Sequence, residues 1–114
     1  MPKRPVNAHG AYHAHIYFGP ATVEQARALS QEAGQRFKVA VGRVHEKNVG
    51  PHPQWSVQLA FARDQFDTLI PWLDANRNGL DVLVHGLSGD EIADHTEHAY
   101  WLGNEWPLDL TALQ

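Results

Sequence analysis

Apolar positions along the chain recur with two periods, 2 and 3.6, and the switches between them mark the elements. In YHAHIYF (Tyr12–Phe18), Ala14, Ile16 and Phe18 alternate with His13, His15 and Tyr17, which predicts a strand with one apolar face. GPATVEQ then stops the strand and starts a helix. Thr22 and Gln25 have the spacing of a capping box, and Val23, Ala26, Leu29 and Ala33 predict a helix over 23–36. Phe37–His45 predicts a second strand and Gln54–Phe61 a third, with Trp55, Val57, Leu59 and Phe61 on one face and Ser56, Gln58 and Ala60 on the other. Asp64 is the expected cap of a second helix that turns Phe66, Leu69, Ile70 and Leu73 inward. Pro71 lies inside that pattern and is expected to kink the helix or start a new segment, because it has no N–H to donate. Asn76–Gly79 ends it, and Leu80–Leu87 predicts a fourth strand. Ser88–Glu91 has the form of another capping box, opening a short helix at Ile92. Residues 1–10 read as an arm, and the tail from Ala99 is apolar enough to dock without showing a period of its own.

Strand, helix, strand, strand, helix, strand is the split βαβ order, so the expected fold class is α+β and ferredoxin-like. One domain over 1–114 is expected, with a four-stranded antiparallel sheet in the order 4-1-3-2 and both helices on one face. Strands 1 and 3 are taken as running together, with 2 and 4 against them. On that reading His13 and His15 begin strand 1, His45 ends strand 2, His52 precedes strand 3 and His85 closes strand 4, all at one rim of the sheet. The alternation also puts His13, His15, Tyr17, Gln58 and His85 on the face away from the helices. Pro51 and Pro53 flank His52 and restrict its loop.

Composition narrows the chemistry. The 114 residues are 43% hydrophobic and 19% charged, which suits a globular fold. A net charge of −4 without a Lys/Arg cluster argues against nucleic acid as a partner. No run approaches a membrane span and the N-terminus has no apolar leader, so a cytoplasmic location is expected. Cysteine is absent, and any transition metal must use histidine, carboxylate or water. There are eight histidines. The convergence singles out His15, His52 and His85 as a metal set for zinc, iron(II), copper or nickel, with His13 beside them and His45 in support or in acid–base chemistry. His9 and His98 read as surface residues or as imidazoles satisfied by a carbonyl.

The segments YHAHIYF, GRVHEKNVGPHP, VLVHGLSGD and DHTEHAYWLG together resemble the DOPA 4,5-dioxygenase family, over about Tyr12 to Gly103. One departure is Gly86, where the family pattern leads one to expect proline. The resemblance implies a ferredoxin-like fold and a non-haem iron(II) enzyme that opens a catechol ring beside its hydroxyls with O₂. It implies His15, His52 and His85 as the metal set. In such chemistry His45 or His13 would take the catechol proton, and His95 would stand at the mouth. Tyr17 would hydrogen-bond a catechol oxygen, Arg43 would pair with a substrate carboxylate, and Gln58 would face the substrate. His95 and His98 in HTEH have helical spacing and would share a face. Glu46 and Asp81 are the nearest carboxylates, while Trp101 and Trp106 read as packing. Two other readings keep the same fold: a non-catalytic metal or small-molecule module, and a cofactor-free dimeric monooxygenase with histidine bases. Exposed sheet edges would suit a homodimer.

Overall fold

The computed structural model describes residues 2–114. Its elements are β1 (Ala11–Phe18), α1 (Val23–Phe37), β2 (Ala40–His45), β3 (Trp55–Ala62), α2 (Arg63–Asn76), β4 (Val82–Gly86), α3 (Glu91–Asp94) and β5 (Ala99–Leu102), followed by a 3-10 helix over Leu110–Leu113. The fold is α+β. The sheet has five strands in the order β2-β3-β1-β4-β5. Every neighbouring pair is antiparallel. The order expected for the first four strands is present, and β5 adds a strand beyond β4 that sequence periodicity did not reveal. AYWL is short and buried at every position, so it carries no alternation to read.

The strand directions need a correction. β1 and β3 run against each other, Ala11 pairing with Ala62 and Phe18 with Trp55. The start of β1 therefore lies level with the end of β3, not with its start. The reason is the turnless junction of β3 with α2: each strand–helix–strand crossover returns parallel, so β1 and β2 share one direction and β3 and β4 the other.

Alternation in β1 and β3 turns Ala14, Ile16, Phe18, Val57, Leu59 and Phe61 into the main core. There they meet Ala26, Leu29 and Ala33 of α1 and Phe66, Leu69, Ile70 and Leu73 of α2. α1 runs past its expected end through Phe37, and Lys38 closes it in the left-handed region with its N–H on Gly34 O at 3.0 Å. This removes Phe37 and Lys38 from the second strand. The Thr22–Gln25 capping box does not form. The Thr22 hydroxyl accepts from Gly19 N at 3.0 Å, and the Gln25 amide donates to Asn78 O at 2.9 Å. At α2 the cap position is Ala62, with Asp64 in the first turn and the Gln65 side chain accepting from Ala62 N at 2.9 Å. α2 continues as one helix through Pro71.

The sheet's other face is not open. Tyr17, Leu83, Ala99 and Trp101 form a second buried cluster there, against which Trp106 and Leu108 of the tail pack. Asp81 anchors that tail by accepting from Trp106 Nε1 at 2.9 Å and Asn104 N at 2.8 Å. Farther on, Asp109 N donates to Pro51 O at 2.8 Å, which ties the tail to the His52 loop. The N-terminal arm lies along β5, where Trp101 N donates to Lys3 O at 2.8 Å. Among the described residues no helix is long and apolar enough to cross a membrane.

Candidate metal centre

The period of β1 that sends Ile16 into the core sends His13, His15 and Tyr17 to the opposite face, and β4 does the same with Leu83 and His85. Register then selects neighbours. His13 stands opposite His85, and His15 opposite Gln58. One nitrogen from each of His13, His15 and His85 lies within 4.8 Å of the others. The Nε2 atoms of His15 and His85 are 3.0 Å apart.

Hydrogen bonds fix the proton on some of these rings. His85 Nδ1 is 3.0 Å from Gly86 O, a group that only accepts, so Nδ1 carries the hydrogen and a neutral His85 presents a lone pair at Nε2. His52 differs. The buried Tyr17 hydroxyl lies 2.8 Å from His52 Nδ1 and has no other hydrogen-bond partner among the described residues. With the tyrosine donating, Nδ1 accepts and a neutral His52 carries its hydrogen on Nε2. A nitrogen in that state has no lone pair for a metal, whereas the reverse bond, Nδ1–H to the hydroxyl oxygen, leaves Nε2 free to bind one.

Burial keeps the cluster neutral. It is the largest cause lowering His15 well below the ordinary value, followed by His52 and His85. Burial also brings His52 to about 4, helped by His95 and His45. His85 is likewise lowered to about 4 by burial, against the opposing bond to Gly86. His13 is lowered first by burial and then by His95, with Asp94 and Glu91 pulling the other way. Burial raises the Tyr17 hydroxyl, which keeps it protonated.

The donor set fits a divalent transition ion. Neutral imidazoles are ligands for iron(II), zinc, copper and nickel. Two nitrogens held cis by one ion with bonds of about 2.1 Å stand about 3.0 Å apart. That is the His15–His85 separation. Without a proton or an ion between them, facing lone pairs at that distance would repel.

The surrounding residues shape a cavity of about 320 Å³. Gln58, Glu91, Asp94 and His95 line it with the histidines, and Ala112 and Leu113 close it from the tail. The His95 ring lies 4.3 Å from that of His85, centroid to centroid, with its Nδ1 2.8 Å from Glu91 O. Asp94 is buried and accepts from Ser88 Oγ at 2.7 Å and from Ser88 N.

Several expectations are corrected by this geometry. The histidines meet on the face of the sheet, not at its rim, because antiparallel register sets His13 beside His85. A compact trio of nitrogens comes from His13, His15 and His85, two of which belong to the expected set of His15, His52 and His85. His52 descends onto the face from its proline-bounded loop, its ring 4.1 Å from that of His15. His45 pairs with Ser56 and lines a smaller pocket of about 140 Å³ behind His15 and His52. Arg43 is exposed on the edge strand β2 and lines neither cavity. The carboxylates beside the histidines are Glu91 and Asp94, whereas Glu46 is exposed and Asp81 holds the tail. Ser88 does not cap α3. Asp90 does so by accepting from Ala93 N, which frees Ser88 for Asp94. α3 ends at Asp94, so HTEH is not helical. His95 turns to His85, while His98 packs on His9 at 4.6 Å. His9 is satisfied by the Tyr100 hydroxyl at 3.0 Å. Glu91 and Asp94 were missed because SGDE and its neighbours read fully as helix capping, which hid any second use.

Fold and site together define a small α+β protein with a neutral imidazole cluster seated on an antiparallel sheet. The chain belongs to the Dopa 4,5-dioxygenase family, whose profile matches residues 12–112. It is 37% identical to an uncharacterized 21.2 kDa protein of Botryotinia fuckeliana, across 92% of this chain and 64% of that protein. It is 32% identical to a DOPA 4,5-dioxygenase of Amanita muscaria, across 90% of this chain and 49% of that protein. The chain thus spans between about half and two thirds of the length of these curated relatives. A crystal structure from Nostoc punctiforme, provisionally assigned as a dioxygenase, shares 42% identity with a TM-score of 0.89, over 92% of this chain and 91% of that one.

Proposed function

We propose that the protein is a non-haem iron(II) extradiol dioxygenase acting on a catechol such as DOPA or caffeate. The observation that carries this reading is the gathering of His13, His15 and His85 nitrogens within 4.8 Å, on rings kept neutral by burial, in a chain of this family. These residues would hold the ion. Iron(II) bound there would supply the electron path between a chelated catecholate and O₂. The balance needs no further reductant: one ring C–C bond beside a hydroxyl-bearing carbon breaks, and both oxygen atoms of O₂ enter the muconic semialdehyde product.

The chain's own groups divide the proton work. His95 donates from Nδ1 to the Glu91 carbonyl, so its Nε2 is an acceptor suited to take a catechol proton. His52, with Nδ1 occupied by Tyr17, offers an Nε2–H to an oxygen at the site. Tyr17 thus acts through His52, not on the substrate directly. Gln58, level with His15, can orient a substrate hydroxyl. His45 lies behind His52 and His15, farther from the reacting ring. Ala112 and Leu113 help exclude water.

The test is oxygen uptake by protein loaded anaerobically with ferrous iron, using caffeate, DOPA and protocatechuate. One O₂ consumed per catechol with a yellow ring-opened product is expected; metal retention without uptake on any catechol would leave a non-catalytic module. His13→Ala, His15→Ala and His85→Ala should each lower bound iron to less than about a tenth of an equivalent, while His9→Ala keeps it. His52→Ala should retain iron yet lose about 100-fold or more in turnover. Iron loss on His52→Ala would restore it to the ligand set.

A further inference from the structure

Asp94 is a buried carboxylate that no step of the ring cleavage uses. It is 4% exposed, and it is the only buried residue of α3. A four-residue helix has no stability of its own, and an apolar side chain sunk in the core ordinarily holds such a turn. In α3, Glu91 and Ile92 are exposed and Ala93 is half-buried, so the side chain that anchors the turn is an ionisable one.

Its partners show what the carboxylate is for. Oδ1 accepts from Ser88 Oγ at 2.7 Å and from Ser88 N at 3.1 Å, and Oδ2 accepts from Ser88 N at 3.0 Å. Ser88 Oγ in turn accepts from Asp90 N at 3.3 Å, and Asp90 Oδ1 accepts from Ala93 N at 3.1 Å. Asp94 N closes the circuit on Asp90 O at 2.9 Å. The circuit ties the chain just beyond His85 to the turn that carries His95. His95 N and Nδ1 both donate to Glu91 O, at 3.1 and 2.8 Å, and the ring stands 4.3 Å from that of His85. The imidazole therefore goes where the α3 turn puts Glu91 O.

We propose that Asp94 is a positioning residue of this centre: by clamping Ser88 it holds the α3 turn, and with it His95, against His85. The inference rests on the ring-cleavage reading for what His95 does, and on hydrogen bonding alone for where His95 stands. Asp94 acts through His95, since the hydrogen bonds of its carboxylate all come from Ser88. The rival is a direct field of the carboxylate on His13 and His85. Asp94→Asn separates the two, because an amide oxygen can accept both Oδ1 bonds without the charge.

Hydrogen exchange in metal-free protein tests the clamp without turnover. In Asp94→Ala the amides of Asp94, His95 and His98, which bond within the turn, should exchange about tenfold faster or more, with those of β1 and β3 unchanged. Asp94→Asn should stay within about threefold of the native rate. Should Asp94→Ala not fold, Ser88→Ala decides: it removes the hydroxyl bond alone and must speed the same amides about threefold. Nitrogen NMR of the His95 ring reads its placement, with Nδ1–H held in the native protein and mixed tautomers in Asp94→Ala. Native exchange with a held Nδ1–H in Asp94→Ala, or an Asp94→Asn protein as loose as Asp94→Ala, would overturn the proposal. With iron restored and caffeate as substrate, Asp94→Ala should lose about tenfold or more in kcat while KM changes less than about twofold. In a His95→Ala background the same substitution should cost less than about twofold. Full losses in both backgrounds would place the action of Asp94 elsewhere than His95 and overturn the proposal too. Native protein that takes up no O₂ with any catechol would sink the dioxygenase reading, while exchange and NMR still decide the clamp.

Discussion

The Tyr17 hydroxyl and His52 Nδ1, 2.8 Å apart on a buried face, decide what His52 can do. A tyrosine whose ionisation is pushed up by burial stays protonated, and when it donates, the imidazole it bonds carries its hydrogen on the other nitrogen. Tyr17→Phe removes that donor and leaves Nδ1 buried without a partner. We expect a loss of about 1–3 kcal/mol in stability, read from urea unfolding at an unchanged m-value, with iron retained. Iron loss in the folded variant would show that His52 had been a ligand. That His13, His15 and Tyr17 share a face was legible in the sequence, since a strand of period two allows nothing else. Which nitrogen of each ring is free was not, because that depends on Gly86 O, Glu91 O and Tyr17 being brought close in space.

At the scale of elements, β4 and β5 are joined through Gly86. Gly86 N–H donates to His98 O at 3.0 Å. A Cβ at Gly86 would stand 2.5 Å from the His9 ring. Glycine therefore permits both the bond and the close approach of the arm. Gly86→Pro should lower stability by about 2–4 kcal/mol in thermal unfolding, since it removes the donor and displaces His9. Gly86→Ala keeps the donor, and combining it with His9→Ala should recover much of the loss of Gly86→Ala alone; additive losses would place the strain elsewhere. The helices were readable from Ala26, Leu29 and Ala33 and from Phe66, Leu69 and Leu73, whose spacing reports a buried stripe. Their caps were misread because Thr22, Gln25 and Ser88 found better partners far along the chain than beside them. β5 was invisible because burial at all its positions leaves no polar phase.

Over the whole molecule, buried neutral imidazoles tie stability to pH in the metal-free state. His52 and His85 have folded values of about 4, against an ordinary 6.5. Above about pH 6.5 neither the folded nor the unfolded chain protonates them, and they cost nothing. As pH falls below that, the unfolded chain binds protons that the folded one refuses, so stability declines until the folded values near 4 are reached. The urea midpoint of metal-free protein should therefore drop between pH 7 and pH 5, and His85→Gln should make that slope shallower. A flat profile would mean that these rings are not held neutral in the folded protein.

The sequence alone determined the α+β class, the faces of β1, β3 and β4, and the presence of histidines on the side away from the helices. Those follow from local periodicity and from residue chemistry, which need no knowledge of distant segments. Only the tertiary structure decided strand direction, and with it that His13 stands opposite His85 and that the imidazoles meet on the face of the sheet. It also brought Glu91, Asp94 and the tail residue Leu113 to the histidine cavity. Register and the docking of an aperiodic tail are set by packing between segments far apart in the chain, and no local pattern encodes which of them will meet.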